Sequence, residues 1–510
     1  MDSFLLFLVS IVTQADSMSR MNFLKALLFL TILLIQGCSG PQRPVTDLQR
    51  RIQQVEESLT GRITVEGEGK WTLAERMDHY KVPGLSIAVV KDYQVEWAKG
   101  YGYADKVENR KVTEETLFQA ASISKSLNAV GVLKLAQDGK LDLTSDINTY
   151  LTSWKFPYDD LSKGKKITIA NLLSHTAGLS VHGFPGYLLG EPLPSVVEIL
   201  DGKAPANTEA VRSMFEPGLK FQYSGGGTTI TQLIVTDITH ISYDEFMSTN
   251  VLKPLDMDHS FYTQPPPQTK SSVLTSAYRE NGSEVEGKYH IYPEQAAAGL
   301  WTNPTDLCKY IIETQLSLEG KSEKVLNQSF TKTRLAPSVS EGSLQAGLGI
   351  FIRRLGDNEY FSHTGGNEGF RCIYMGSMKG GNGVVVMVNS DNGMILEEVV
   401  NSIFSVYGWG DFKPNVKKIV ALSQEQWKSL EGVYEFEDDR TRYLQFTSKD
   451  DKLILKQSWD GREVTFEAES DVEFFCRDFD FPLKFTKNAD GEATQALAFG
   501  RDVWIKRTVE

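Results

Sequence analysis

A serine and a lysine three residues apart begin the most informative stretch of the sequence, Ser122-Ile-Ser-Lys125. Seven of the ten residues from 127 to 136 are apolar, which predicts a buried helix with both residues on one face near its N-terminus. A serine hydroxyl becomes an effective nucleophile when a base lies within hydrogen-bond reach, and a buried lysine can be that base. The pattern therefore suits a nucleophilic Ser122 with Lys125 as the base that accepts its proton.

The same spacing occurs a second time and provides an internal comparison. Ser162-Lys-Gly-Lys165 also places a lysine three residues after a serine, but it lies in a charged stretch without an apolar helix behind it. Short matches of this kind often arise by chance. The prediction for Ser122 therefore depends on further elements downstream.

Two glycine-rich elements follow in the chain, Tyr223-Ser-Gly-Gly-Gly227 and His363-Thr-Gly-Gly366, the latter directly before a predicted strand. Together with Ser122-Ile-Ser-Lys125 they resemble the three signature elements of the serine β-lactamase and penicillin-binding protein superfamily. The resemblance is greatest to the class C-like branch, which includes esterases and D-aminopeptidases. It covers about residues 70 to 410.

Two other segments resemble stretches common in that branch, residues 82–90 and 167–179. The second contains His175. A hydrogen-bonded structural histidine is the favoured interpretation of His175, and a catalytic one is the alternative.

The resemblance implies a role for each signature element. Ser122 would form the acyl-enzyme, Lys125 would accept or orient its proton, and Tyr223 would pass the proton to the leaving group. The alternative for Tyr223 is a core aromatic beside a glycine turn.

The third element completes the site that the resemblance implies. The backbone amides of Ser122 and Gly366 would hold the oxyanion, while His363, Thr364 and Gly365 would contact the substrate. The glycines would let the substrate approach the backbone closely. Neither a cofactor nor a metal ion is expected.

Two residues depart from the family pattern. The third element usually begins with a lysine that helps hold a substrate carboxylate, whereas here it begins with His363, as in the esterase and D-aminopeptidase branch. Because histidine is mostly neutral near pH 7, we expect weaker binding of carboxylates such as that of penicillin. Gly225 stands in place of the asparagine of the second element, so a polar substrate contact is lost. Both departures argue against an efficient β-lactamase.

Strand patterns near both ends of this region predict one shared antiparallel sheet. Strands are predicted at residues 85–90, 95–103, 347–353, 360–362, 370–376 and 384–388, with a helix at 394–407. The middle is mostly helical and rich in loops, which predicts a second lobe. The predicted fold class is α+β, the β-lactamase/transpeptidase-like fold, with an antiparallel sheet flanked by helices and a helical lobe.

The predicted domains are a signal peptide (1–37), a tether with a short amphipathic helix (38–69), a catalytic domain (70–412) and a C-terminal domain (413–510). Residues 411–421 resemble a linker. Beyond them, short aromatic and β-branched runs recur about every ten residues, with polar turns between. This pattern predicts a small all-β barrel.

The N-terminal residues predict export and a lipid anchor. Met21-Asn-Phe-Leu-Lys25 precedes an apolar run at 26–35, which is shorter than the ~20 residues of a membrane span. Ile35-Gln-Gly-Cys38 resembles the bacterial lipobox, so we expect a lipidated Cys38 and a periplasm-facing location at the outer membrane. The alternative is a signal anchor followed by a buried cysteine. Translation could begin at Met21.

Composition narrows the possible partners. The chain has 53 Lys and Arg against 66 Asp and Glu, a net charge of −13, and no basic run, so nucleic acid is not an expected partner. Cys308, Cys372 and Cys476 lack metal-ligand spacing and are expected to be buried or free thiols. The oligomeric state is not predicted.

Two functions remain open at this point. One is a serine hydrolase that cleaves amide or ester bonds through an acyl-enzyme, acting on D-amino-acid or cell-wall peptides or on esters. The other is a protein that binds cell-wall peptide or glycan without hydrolysis. The first is favoured by the presence of Ser122, Lys125 and Tyr223 together.

Overall fold

Secondary structure is described for residues 46–61, 63–341, 344–410, 414–478 and 480–507 of a computed structural model. The chain divides into two units, residues 1–53 and 54–510, and all strands of the described residues lie in the second. The predicted signal peptide and the predicted lipidation site Cys38 lie outside the described residues.

The first part of the chain contains both helices and strands. In order, its elements are α1 (Asp47–Glu56), β1 (Ile63–Val65), α2 (Leu73–His79), β2 (Gly84–Lys91), β3 (Gln94–Asp105), β4 (Arg110–Lys111), β5 (Phe118–Gln119), α3 (Ser124–Gln137), α4 (Ile169–Leu173), α5 (Val196–Asp201), α6 (Gly225–Thr239), α7 (Tyr243–Met247), α8 (Gln295–Ala298), β6 (Trp301–Thr302), α9 (Pro304–Leu318), α10 (Gln328–Leu335), β7 (Val339–Glu341), β8 (Leu344–Ala346), β9 (Phe351–Leu355), β10 (Asn358–Asn367), β11 (Phe370–Ser377), β12 (Gly383–Val388) and α11 (Met394–Tyr407).

The last part of the chain is mostly strand. Its elements are β13 (Asn415–Lys417), α12 (Gln424–Leu430), β14 (Gly432–Phe436), β15 (Tyr443–Lys449), β16 (Lys452–Gln457), β17 (Glu463–Ala468), β18 (Glu473–Phe475), β19 (Pro482–Lys487), β20 (Ala493–Ala498) and β21 (Asp502–Lys506).

A nine-stranded antiparallel sheet forms the base of the molecule. Its strand order is β4-β3-β2-β12-β11-β10-β9-β8-β7. β2 pairs with β12, so strands from the two ends of the region share one sheet, as predicted. β2, β11 and β12 are buried along nearly their whole length, because helices α9 and α11 pack on the sheet. Such strands are typically rich in Val and Ile.

The helical lobe surrounds α3, which is buried along most of its length. The lobe and the sheet share one hydrophobic core that includes Leu127, Ile230 and Val385. The predicted α+β fold of the β-lactamase/transpeptidase type is thus confirmed.

The C-terminal strands β14 to β21 close into an eight-stranded barrel, which confirms the predicted all-β domain. Exposed and buried residues alternate along β15 and β19, because one face of each strand lines the barrel core. That core is filled by aromatic and aliphatic side chains, among them Tyr434, Phe446, Leu455, Phe466, Phe485 and Trp504.

Several local predictions were wrong. The strand predicted at 347–353 begins at Phe351, and His363–Gly366 lies within β10 rather than before a strand. The predicted linker contains β13, which pairs in parallel with β1. Helix α12 and strand β20 were not predicted. The domain boundaries given above stay predictions.

Two findings concern the membrane and the cysteines. Among the described helices, none combines the length and the apolar character that crossing a membrane requires. Cys308, Cys372 and Cys476 are buried, as predicted.

Candidate active site

The predicted nucleophile lies in a tight turn that leads into helix α3. Ser122 belongs to the single turn Ala121–Ile123, directly before Ser124. Ala121 has a φ of 48°, which is unfavourable for a residue with a Cβ, and its side chain is fully buried. Ser122 itself is half-buried. The surrounding core therefore holds a strained backbone in place next to the hydroxyl.

Lys125 lies beside this hydroxyl. It is 3% exposed, and its Nζ lies 3.0 Å from Ser122 Oγ and donates to the backbone oxygen of Ala297 at 2.8 Å. Ala297 belongs to α8, so this short helix fixes the far side of the lysine head group. The three-residue spacing thus forms the serine–lysine pair that the sequence predicts.

Buried hydrogen bonds hold the first turns of α3. Tyr374 on β11 donates to Ser126 Oγ at 2.9 Å, and Ser126 Oγ donates to the backbone oxygen of Gly349 at 2.8 Å. Two residues further, Asn128 bonds Thr231 and Tyr243 through its amide group, each at 2.9 Å. Because these polar groups are satisfied inside the core, they fix the helix in one position.

Tyr223 lies on the other side of Lys125. The Nζ of Lys125 is 5.1 Å from the centroid of the phenol ring. Ser224 caps helix α6 by accepting the backbone N–H of Gly227 at 2.9 Å, which fixes the chain immediately after the tyrosine. The ring is half-buried, so its position is compatible with both catalysis and access from solvent.

The third element forms an edge of the sheet next to the nucleophile. On this side, β10 pairs with β9 only from Asn358 to Ser362. From His363 onward, none of the described strands pairs with this side of β10. A Cβ on Gly365 would lie 2.2 Å from the backbone oxygen of Ala120. Glycine at 365 is therefore required for β10 to approach the turn that carries Ser122.

The two glycines differ in their surroundings. A Cβ on Gly366 would meet only the side chain of Arg371, at 3.4 Å or more, and both Gly366 and Thr364 are exposed. The predicted reason for glycine, close approach of a substrate, thus fits Gly366, whereas Gly365 serves packing.

His363 is buried and electrically neutral. It is 3% exposed, its Nδ1 donates to the backbone oxygen of Thr364 at 2.6 Å, and its Nε2 has no hydrogen-bond partner among the described residues. Burial, reinforced by the positive charge of Lys125, lowers the pKa of His363 to about 3. This side chain therefore provides no permanent cation at physiological pH.

The predicted site residues thus come together around Ser122 from α3, the start of α6 and β10. A family model described as Beta-lactamase matches residues 72–399. The chain belongs to the beta-lactamase family. The match places it in the superfamily of serine hydrolases that also contains the penicillin-binding proteins.

The chain is similar in sequence to a curated relative and in fold to solved structures. Protein flp of Staphylococcus aureus (strain N315) is 26% identical over 322 residues, which are 60% of this chain and 60% of that protein's length. The octameric penicillin-binding protein homologue from Pyrococcus abyssi has a TM-score of 0.57 at 20% identity, covering 85% of this chain and 98% of its own. D-alanine carboxypeptidase AmpC from Burkholderia cenocepacia has a TM-score of 0.53 at 18% identity, covering 66% and 96%.

The second Ser-x-x-Lys match does not form a comparable pair. Ser162 Oγ donates to the backbone oxygen of Asp159 at 2.6 Å, and the exposed Lys165 forms an ion pair with Glu216. The catalytic roles assigned to Ser122, Lys125, Tyr223 and the third element stay predictions.

Two histidines next to Tyr223 add to the predicted site. His175 is hydrogen-bonded, as predicted, but its ring also contacts that of Tyr223, with centroids 4.3 Å apart. The ring of His182 lies 4.9 Å from that of Tyr223 and was not predicted to be part of the site. His182 is 41 residues from Tyr223 in the sequence and has no recognisable motif around it.

Among the described residues, no group of three or more His, Cys, Asp and Glu side chains is arranged to hold a metal ion. The ring of Tyr223 forms a separate ring contact with each of His175, His182 and His363.

Proposed function

We propose that this chain is an active-site-serine hydrolase that cleaves amide or ester bonds through an acyl-enzyme on Ser122. The observation that carries the proposal is the 3.0 Å distance between Ser122 Oγ and the Nζ of the buried Lys125. Such a pair can transfer a proton during nucleophilic attack. Membership of the beta-lactamase family supports the same chemistry.

The reaction would begin with Lys125 in its neutral form, so that its amine takes up the hydroxyl proton as Ser122 Oγ attacks the substrate carbonyl. The amides of Ser122 and Gly366 would hold the oxyanion, and the N-terminal end of α3 favours negative charge there. Tyr223 would then pass the proton to the leaving group. Water would release the acyl group and regenerate Ser122.

The proposed substrates are esters or peptides that contain D-amino acids, including cell-wall peptides. His363 is neutral, so a carboxylate on the substrate would lack the ammonium that the family's usual lysine supplies. The solved structures with a similar fold include a D-alanine carboxypeptidase, which makes D-alanyl peptides early substrates to test.

The test combines covalent labelling with a substrate panel. Wild-type protein should react with a fluorophosphonate probe and hydrolyse at least one of a short-chain ester, a D-alanine amide, a D-Ala-D-Ala peptide and a β-lactam. Ser122→Ala should abolish both labelling and turnover, whereas Ser162→Ala should retain both. Equal behaviour of the two variants would show that Ser122 is not the nucleophile.

The same experiment separates the alternative function. Labelling of Ser122 without turnover of any substrate in the panel would favour a protein that captures cell-wall peptide. Binding of cell-wall peptide or glycan by an unlabelled wild-type protein would favour a non-hydrolysing binder.

We also propose that a lipid on Cys38 anchors the chain to the outer membrane, facing the periplasm. The support for this proposal is the sequence Ile35-Gln-Gly-Cys38 after a short apolar run.

A further inference from the structure

Gly225 stands where the family has an asparagine, and the space beside it is filled. A Cβ on Gly225 would lie 2.9 Å from the ring of Phe184 and 3.1 Å from the backbone oxygen of His182. A side chain at position 225 would therefore collide with residues 181–185, which we name the 181–185 loop. This loop occupies the region into which an asparagine would extend.

The 181–185 loop is fastened at both ends. The backbone N–H groups of Gly225 and Gly226 donate to the oxygens of His182 and Val181, each at 3.0 Å. At the other end, His290 Nδ1 donates to the oxygen of Pro185 at 2.9 Å. These bonds hold the loop against the start of α6, so the side chains that it carries have defined positions.

His182 is the exposed side chain that this loop brings to Tyr223. The centroids of the two rings are 4.9 Å apart and their planes differ by 44°. His175 and His363, the other histidines in contact with Tyr223, are 5% and 3% exposed. Of the three side chains, that of His182 is the exposed one, so it is open to a molecule bound next to the tyrosine.

We propose that His182 contacts the substrate and supplies the polar group that the family's second element supplies through asparagine. A neutral imidazole offers one hydrogen-bond donor and one acceptor, so it can replace a carboxamide in a bond to an amide group. The partner would be an amide in the acyl part of the substrate, as in an N-acylated amino acid or a peptide. This inference rests on the proposed function and specifies its substrate class.

The test uses two esters that have the same leaving group but different acyl groups, N-acetyl-D-alanyl in one and propionyl in the other. The two acyl groups differ only by the acetamido substituent. His182→Phe keeps an aromatic ring against Tyr223 but removes the polar atoms. We expect kcat/KM for the N-acetyl-D-alanyl ester to fall about tenfold, as for one lost hydrogen bond, and that for the propionyl ester to change little. His182→Asn should restore part of the preference.

A matched control is His240→Asn, because His240 is an exposed histidine at the far end of α6 with a positive φ that asparagine tolerates. It should behave as wild type with both esters.

Equal losses on the two esters in His182→Phe would mean that His182 only supports Tyr223. An unchanged preference would show that His182 does not contact the substrate. Either result overturns the inference.

Failure of the inference can be told apart from failure of the proposed function. If wild-type Ser122 is acylated by neither ester and by no member of the substrate panel, the proposed function is wrong and the inference is wrong with it. If only members of the panel other than these esters acylate Ser122, the hydrolase assignment stands and the inference is rejected. If wild type is acylated and His182→Phe keeps its preference, the hydrolase assignment stands and only the role of His182 is rejected.

Discussion

The imidazole of His175 packs against the phenol ring of Tyr223, with ring planes 31° apart, and its Nδ1 accepts the N–H of Ser224 at 3.3 Å. One side chain thus contacts both the tyrosine and the residue after it. Burial and the nearby positive charge of Lys125 hold the pKa of His175 well below its usual range. The ring therefore stays neutral, keeps its acceptor and adds no charge beside Lys125.

This packing makes Tyr223→Phe an informative variant, because it keeps the ring against His175 and removes only the hydroxyl. We expect slow acylation of Ser122 to persist while kcat falls about 10²-fold or more, as for loss of a positioned proton donor. Steady-state kinetics and the rate of probe labelling measure the two effects separately. Wild-type kinetics in this variant would show that Tyr223 contributes packing and not proton transfer.

Glu294 provides a prediction about stability. It is fully buried, and neither carboxyl oxygen has a hydrogen-bond partner on another described residue. Burial raises the pKa of Glu294 from 4.5 to about 8. Between these values the folded state holds a proton that the unfolded state has released, so the contribution of Glu294 to stability is greatest below pH 4.5 and is lost as the pH rises through about 8.

Glu294→Gln should remove this dependence on pH. Relative to the variant, the wild-type free energy of unfolding should fall by about 1.4 kcal/mol per pH unit over this range. Urea denaturation at about pH 5 and about pH 7.5 measures the difference. Parallel pH profiles of wild type and variant would show that Glu294 is solvated or paired.

Local patterns were enough to predict much of the fold. The helix at 394–407 has the predicted bounds, because its apolar residues recur with helical spacing. β20 was not predicted, because its sequence Ala-Thr-Gln-Ala-Leu-Ala has few residues with strand propensity, and its neighbours β19 and β21 impose the strand. The pairing of β1 with β13 joins residues about 350 positions apart, which no local pattern encodes.

The site residues also differ in whether a local pattern predicts their positions. Ser122 lies in the turn before α3 and Lys125 in the first turn of α3, so a local pattern supported by the two downstream elements predicts the contact. The positions of His175 and His182 against Tyr223 depend on loop geometry across more than 40 residues. The burial of His363 likewise follows from the packing of β10 against neighbouring elements rather than from its sequence context.

The N-terminal proposal has its own test. Cys38→Ala should abolish incorporation of a labelled fatty acid, because the thiol is the proposed site of acylation. Wild type should incorporate the label and partition with outer membranes, and Cys476→Ala, which removes a buried cysteine of the barrel, should do the same. Equal incorporation in Cys38→Ala and wild type would contradict the lipobox assignment.

The last prediction concerns specificity and depends on His363. This side chain is neutral and its Nε2 lacks a partner among the described residues, at the position where the family usually has lysine. His363→Lys should place a positive charge within about 4 Å of a bound carboxylate, a favourable interaction of about 1 to 4 kcal/mol, depending on how much water remains in the cleft.

We therefore expect kcat/KM for substrates with a carboxylate near the scissile bond to rise about fivefold to several-hundredfold relative to neutral esters. Desolvation of the new ammonium reduces this gain, and its charge can perturb proton transfer at Lys125, so relative specificities are the quantities to compare. His363→Gln, which is neutral, should show no such gain. Unchanged specificity in a folded and acylated His363→Lys protein would mean that the side chain at position 363 does not reach the substrate, and that the carboxylate preference of this site is set elsewhere.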